Sequence, residues 1–328
     1  MRLLMDKWTV LCIFLLLLCT ESAEGGELKK NYYKNSCPDV ESIVSEAVSK
    51  KFQQTFVTAQ ATLRLFFHDC FVEGCDASIM IVSPNGDAER DAPDNVSLAG
   101  DGFDTVIKAK EAVEAVCPGV VSCADILALA AREVVFLTGG PSYKVELGRL
   151  DGLVSKASNV KDNLPDPRFD YQKLKAMFAK HKLSDTDLIA LSGAHTIGVS
   201  HCNRFSNRLY NFSPSTPIDP TLNATYAQQL IQECPLDVDP NIVVGMDPDT
   251  PRTFDNSYYQ NLIAGKGLFT SDEVLVLDSA ARRKVEAFAS DMSAFSSGFA
   301  KSMIKLGRVG VKTSDGEIRK DCTAYNYY

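Results

Sequence analysis

Arg64 and His68 stand four residues apart in the run Arg64-Leu65-Phe66-Phe67-His68-Asp69-Cys70. On a helix that spacing puts a permanent cation and a titratable imidazole on one face. Such a pair can move a proton and stabilise the charge left behind. Phe66 and Phe67 keep the surroundings dry, which strengthens electrostatics there. A guanidinium among aromatic side chains needs an anionic partner or a task. The run Leu191-Ser192-Gly193-Ala194-His195-Thr196-Ile197-Gly198 places another histidine after small residues at a helix end, where a flat ligand could approach closely. By pattern alone, a histidine in that place can also simply cap helix carbonyls. The other two of the four histidines, His181 and His201, read as ordinary polar residues, His201 beside Cys202.

Oxygen side chains gather in two places. Asp69 follows His68 directly, and neighbours on a helix point about 100° apart. Asp69 therefore turns away from the imidazole, toward the loop that holds Gly74, Asp76 and Ser78. Hard oxygen donors favour Ca²⁺, although the spacing is not that of an EF-hand. The second group is Asp247-Pro248-Asp249-Thr250-Pro251-Arg252-Thr253-Phe254-Asp255, which by itself reads equally as a solvated acidic turn.

The elements that must position these residues are mostly helical. Ser122-Cys123-Ala124-Asp125 and Ser184-Asp185-Thr186-Asp187 look like capping boxes. The first helix should stop at Gly139-Gly140-Pro141, and the second leads to Gly193 and His195. Further helical stretches are expected at 40–52, 56–69, 103–115, 170–181, 255–264, 279–290 and 298–307. Tyr143–Leu147 is the one strand candidate. The segment from Tyr210 to Asp255 reads as a long loop region, and such loops are usually functional or pinned. No linker and no internal repeat divides the chain.

The 328 residues are 45% hydrophobic, ample for a large core. Arg2 and Lys7 precede an apolar run from Trp8 to Cys19, followed by small residues. This reads as a secretory signal peptide over 1–25, cut after Ser22 or Gly25, too short to span a bilayer. Residues 26–328 are then one domain. Ten cysteines less Cys12 and Cys19 leave eight, an even number that in an exported chain reads as four disulfides. The net charge of -8 speaks against nucleic acid, anionic membranes and acidic polysaccharide as partners. Asn211-Phe212-Ser213, Asn223-Ala224-Thr225 and Asn95-Val96-Ser97 are glycosylation sequons.

The two histidine segments resemble the distal and proximal motifs of the class III (secretory plant) haem peroxidases, and the resemblance covers nearly the whole chain after the leader. It implies a mainly α fold in which two helical lobes clasp a haem, with minimal β structure. It implies one haem b and two Ca²⁺. His68 and Arg64 become the distal catalytic pair, and Asn95 accepts a hydrogen bond from His68, so no glycan is expected there. His195 becomes the axial iron ligand, with Asp272 as its outer acceptor. The first calcium takes Asp69, Asp76 and Ser78 by side chains, Val72 and Gly74 by carbonyls, and Glu89 through water. The second takes Thr196, Asp247, Thr250, Thr253 and Asp255. The disulfides implied are Cys37–Cys117, Cys70–Cys75, Cys123–Cys322 and Cys202–Cys234. Pro165 matches a donor-binding proline at the haem edge.

The resemblance also has departures. Glu73 stands where asparagine is usual, Leu150 where a second basic residue is common, and Tyr143 where tryptophan is usual. The only tryptophan is Trp8 in the leader, so no surface tryptophan can relay electrons from bulky donors. The function implied is reduction of hydrogen peroxide with one-electron oxidation of small phenolic or aromatic donors, by a monomer secreted to the cell wall, in lignin- or suberin-type coupling. One rival is a pectin-binding wall glycoprotein with little turnover, against which the acidic charge and the Arg64/His68 pair both argue. Another is a haem-free calcium hydrolase. A Cys70–His68 dyad is disfavoured because Cys70 is better explained by its disulfide.

Overall fold

The computed structural model of the chain describes residues 27–326, so the signal-peptide expectation over 1–25 lies outside the described residues. Within them are twelve α-helices and one two-stranded sheet, and the mainly α expectation holds. A first group of four helices packs together: α1 (Val40–Gln54), α2 (Val57–Val72), α3 (Gly100–Glu114) and α4 (Cys123–Leu137). A second group comprises α5 (Tyr171–Lys180), α6 (Asp185–Ser192), α9 (Ser257–Ile263), α10 (Thr270–Leu277), α11 (Ser279–Ser290) and α12 (Met292–Leu306). Between α6 and α9 come β1 (Val199–His201), α7 (Ser206–Leu209), α8 (Ala224–Glu233) and β2 (Val243–Gly245). The strands pair antiparallel, Ser200 opposite Val244.

Helix α2 buries side chains on nearly every side, among them Leu63, Leu65, Phe66 and Phe71, as befits a helix inside a bundle. It stops before Gly74, whose φ of 104° places it in left-handed space and whose Cα side lies against Gly310. A side chain there would collide with backbone. The N-terminus of α4 is closed from outside: Asp151 accepts from Cys123 N at 3.1 Å and Ala124 N at 2.8 Å.

A smaller cluster of Phe205, Leu209, Tyr226 and Leu230 sits behind the Cys202–Cys234 bridge. All four disulfides implied by the resemblance are formed.

The structure corrects several local expectations. Tyr143–Leu147 is not a strand; only Leu147 bridges, to Lys29. Its carbonyls serve arginines instead, Tyr143 O accepting from Arg132 and Glu146 O from Arg149. Ser122 caps Asp125 N but the box is not reciprocal, because the Asp125 carboxylate is drawn to Arg149, Tyr33 and Gly148 N. The last helix starts at Met292 rather than 298, since Asp291 accepts from Ser293 N and Ala294 N. Helix α8 falls inside the expected loop region, and α7 and α10 lie where no helix was expected.

Candidate active site

A cavity of about 490 Å³ lies between the two helix groups, within the size range of small-molecule sites. His68 and Arg64 from α2 and His195 from the turn after α6 all line it.

On the α2 side, His68 Nδ1 lies 2.7 Å from Asn95 Oδ1, and Asn95 Nδ2 donates to Glu89 O at 2.7 Å. The second bond fixes which end of the amide faces the ring. Oδ1 is the acceptor, so Nδ1 carries the proton and Nε2 keeps its lone pair. Burial, then the positive charge of Arg64, push the His68 imidazolium down to about 3, so the ring is neutral and basic at Nε2 near neutrality. Arg64 is enclosed by protein yet presents its surface to the cavity. It donates to Ser97 O at 2.9 Å and Ser97 Oγ at 3.0 Å. Burial and Arg204 lower it to about 10, and it stays charged.

On the other side, Ser184 and Asp187 form a full capping box at the start of α6, and Asp187 also binds Ser302 Oγ at 2.8 Å and Lys305 Nζ at 2.9 Å on α12. The helix so held runs into the 3₁₀ turn Gly193–Thr196. Gly193 packs its Cα against Tyr259 and Phe295, leaving no room for a side chain. His195 Nδ1 lies 2.7 Å from Asp272 Oδ1. Asp272 also accepts from Tyr258 OH at 2.9 Å and Phe269 N at 3.0 Å. Burial alone would raise the Asp272 carboxyl, but its pairing with the His195 imidazole and these donors outweigh it and hold it below the ordinary carboxylate range. The carboxylate thus sits behind the imidazole and leaves Nε2 for the cavity.

These surroundings fit a flat macrocycle with an iron centre. Two histidines bound from behind share a cavity walled by Phe67, Leu191, Phe269 and Met303. Pro165 also lines it. His201, read as an ordinary polar residue, lines it too, its Nδ1 3.1 Å from Pro240 O. His181 does not; it packs on Phe71 with ring centres 4.4 Å apart. Sequence reasoning missed Ser97, Arg204 and Tyr258, which reach the site only through the fold. Ser97 alone carried a signal, lying two residues from Asn95.

The first oxygen group spans the end of α2 and the α2–α3 connection. Asp69 accepts from Ala77 N at 3.0 Å, and Asp76 pairs with Lys312 Nζ at 2.7 Å. Both oxygens of fully buried Glu89, and Ser78 Oγ, have no hydrogen-bond partner. Burial, then Asp76, raise the Asp69 carboxyl well above its usual range, and burial, then Asp69, raise Glu89 to about 9. Buried carboxylates crowded in this way suit a cation. The half-buried Glu73 accepts from Asn159 Nδ2.

In the second group Thr250 Oγ1 lies 3.2 Å from Asp255 Oδ1 and 3.4 Å from Asp247 Oδ2, with Thr196 Oγ1 3.4 Å from Asp255 Oδ1 and from Thr253 O. Asp249 faces Lys266 instead, at 3.5 Å. Among the described residues no three His, Cys, Asp or Glu side chains converge on one point, so any ion here must draw on hydroxyl and carbonyl oxygens as well.

A sequence profile described as peroxidase matches residues 44–291, and the chain belongs to that family: it is a haem peroxidase, an oxidoreductase that uses hydrogen peroxide and an electron donor. It is 62% identical to Peroxidase 55 of Arabidopsis thaliana over 313 residues, covering 95% of this chain and 94% of the relative. Peroxidase 45 of the same plant is 59% identical over 97% of this chain and 98% of its own length. Peroxidase 16 is 59% identical over 96% and 97%.

Proposed function

We propose that residues 26–328 form one secreted peroxidase domain, a monomer that reduces hydrogen peroxide at the expense of small phenolic donors in the cell wall. The observation that carries this reading is that His68 and His195 line one cavity, each held by its rear nitrogen. Haem b, when bound between them, supplies the iron and the redox equivalents that the side chains lack. His195 would hold it through Nε2, with Asp272 giving the ring anionic character.

The remaining work falls to the α2 side. Neutral His68 takes a proton from one oxygen of peroxide at Nε2 and returns it to the other, which leaves as water. Arg64, already charged and braced by Ser97, stabilises the negative charge growing on the departing oxygen. Asn95 keeps Nε2 basic by accepting the Nδ1 proton. Pro165 would meet the donor.

Two Ca²⁺ would complete the fold. One draws on Asp69, Val72, Gly74, Asp76, Ser78 and Glu89, bracing α2 from the residue after His68. The other draws on Thr196, Asp247, Thr250, Thr253 and Asp255, bracing the turn that holds His195. The apolar leader and four disulfides support export. Among the described residues no helix is long and apolar enough to cross a membrane. Asn211 and Asn223 are exposed and would carry glycans.

The test is an absorption spectrum of the purified protein followed by guaiacol oxidation with peroxide. A Soret band with rapid turnover is expected. Its absence would favour the haem-free reading, and a Soret band with binding to pectate and negligible turnover the wall-glycoprotein reading. His68→Ala should keep the haem and slow the peroxide step by about a hundredfold to ten-thousandfold. Near-normal rates would remove His68 from the mechanism.

A further inference from the structure

Most arginines enclosed by this fold have a carboxylate. Arg132 pairs with Glu41, Arg149 with Asp125, Arg208 with Asp219 and Arg319 with Asp151. Two that line the cavity have no carboxylate within 4.0 Å among the described residues, Arg64 and Arg204. Arg64 has a task at the peroxide. Arg204 has none so far.

Arg204 ends the turn Cys202–Arg204 after β1, which the Cys202–Cys234 bridge and the pairing with β2 hold in place. Its one hydrogen bond is a long one, Nη2 to Ser97 Oγ at 3.4 Å, so most of its five donors are open. Of the carboxylates that line the cavity, Asp166 and Asp272 are engaged elsewhere, and exposed Asp94 makes no ion pair with Arg204 within 4.0 Å. Asp166 is gripped by Arg168 through two bonds of 2.8 Å, and Asp272 is held behind His195. The chain as a whole carries -8, so its long-range field repels anions. A half-buried, unpaired guanidinium in such a protein marks a place where an anion is meant to bind.

We propose that Arg204 is a specificity-determining residue: its guanidinium takes the carboxylate of a small aromatic donor and makes the cavity favour aromatic acids over their neutral counterparts. The proposal rests on the peroxidase reading of the cavity. The haem also carries carboxylates, and they are the other source of the same chemistry.

The probes are 4-hydroxycinnamate and 4-hydroxycinnamyl alcohol, which share a ring and a side-chain length and differ in carboxylate against hydroxymethyl. Calorimetric titration of the purified resting holoprotein reads binding without turnover. The ratio of acid affinity to alcohol affinity should fall about tenfold in Arg204→Leu, and Arg204→Lys should recover part of it. An unchanged ratio overturns the proposal. So does an equal loss for both ligands with faster haem transfer to apomyoglobin, which would assign Arg204 to the haem. Failure of the wild-type protein to consume peroxide would sink the peroxidase reading instead, and leaves the affinity ratio readable.

Discussion

Asn95 and Asp272 each occupy the Nδ1 of a histidine at 2.7 Å, and the two contacts have opposite electrical character. The amide is neutral and leaves His68 a modest base. The carboxylate is charged and pushes electron density into His195. Asn95→Leu should therefore retain haem and slow the peroxide step by about tenfold or more, read by stopped-flow absorbance. Glu273 offers a pH test. Its Oε2 is buried without a hydrogen-bond partner, 3.9 Å from Arg208, and burial is the main force raising it to about 7 from an ordinary 4.5. The folded protein thus keeps a proton that the unfolded chain gives up. That contribution is full below about 4.5 and is lost as pH rises through about 7. Glu273→Gln should flatten the fall in thermal midpoint across that window; an unaltered pH profile would show that Glu273 is ionised in the fold. Arg64, His68 and His195 were legible because motif and spacing single them out, and Asn95 and Asp272 because the family pattern does. Arg204 and Tyr258 were not, since nothing local distinguishes an arginine or tyrosine that meets its partner across the fold, and Ser97 had only its place two residues after Asn95 to mark it.

At the scale of elements, the helices with an apolar stripe and a capped start were readable, and α6 began where Ser184 and Asp187 placed it. The three missed helices, α7, α8 and α10, are short. Helix α8 is capped by Asn223, whose Oδ1 accepts from Thr225 N and Tyr226 N. In α10, Asp272 reaches back to Phe269 N, so the residue behind His195 also closes the start of its own helix. The failed strand at Tyr143–Leu147 shows the reverse: alternation without a neighbouring strand to pair with gives extended chain only. Ser184→Ala should cost about 1 kcal/mol, measured by chemical denaturation. Asp187→Ala should cost more, because it also unties α6 from Ser302 and Lys305 on α12. Equal losses would mean that the ties between the helices contribute nothing.

At the scale of the molecule, cross-links and ions act on the whole ensemble. In the chain-entropy account the Cys123–Cys322 bridge, 199 residues apart, restricts the unfolded chain by about 5 kcal/mol, against about 2 for Cys70–Cys75. Replacing the first pair by alanine should lower the calorimetric midpoint by the larger step. Chelation of calcium should lower it too, with restoration on adding the ion back; a midpoint indifferent to chelator would leave the two oxygen groups without an ion. The overall class was legible from the two histidine motifs, with the cysteines and helical periodicity beside them, whereas the cavity between the helix groups is a product of tertiary packing that no window of sequence contains. One further consequence concerns Asn95-Val96-Ser97. Its asparagine is buried against His68 and its serine braces Arg64 and Arg204, so the acceptor signal cannot be erased at either end without disturbing the machinery. In a host that exports the chain, oligosaccharyltransferase and folding would compete for the same amide while the nascent chain is still open. Hosts with vigorous transferase activity should therefore yield a colourless, retained fraction carrying sugar at Asn95, and faster collapse of the first helix group should raise the output of coloured protein.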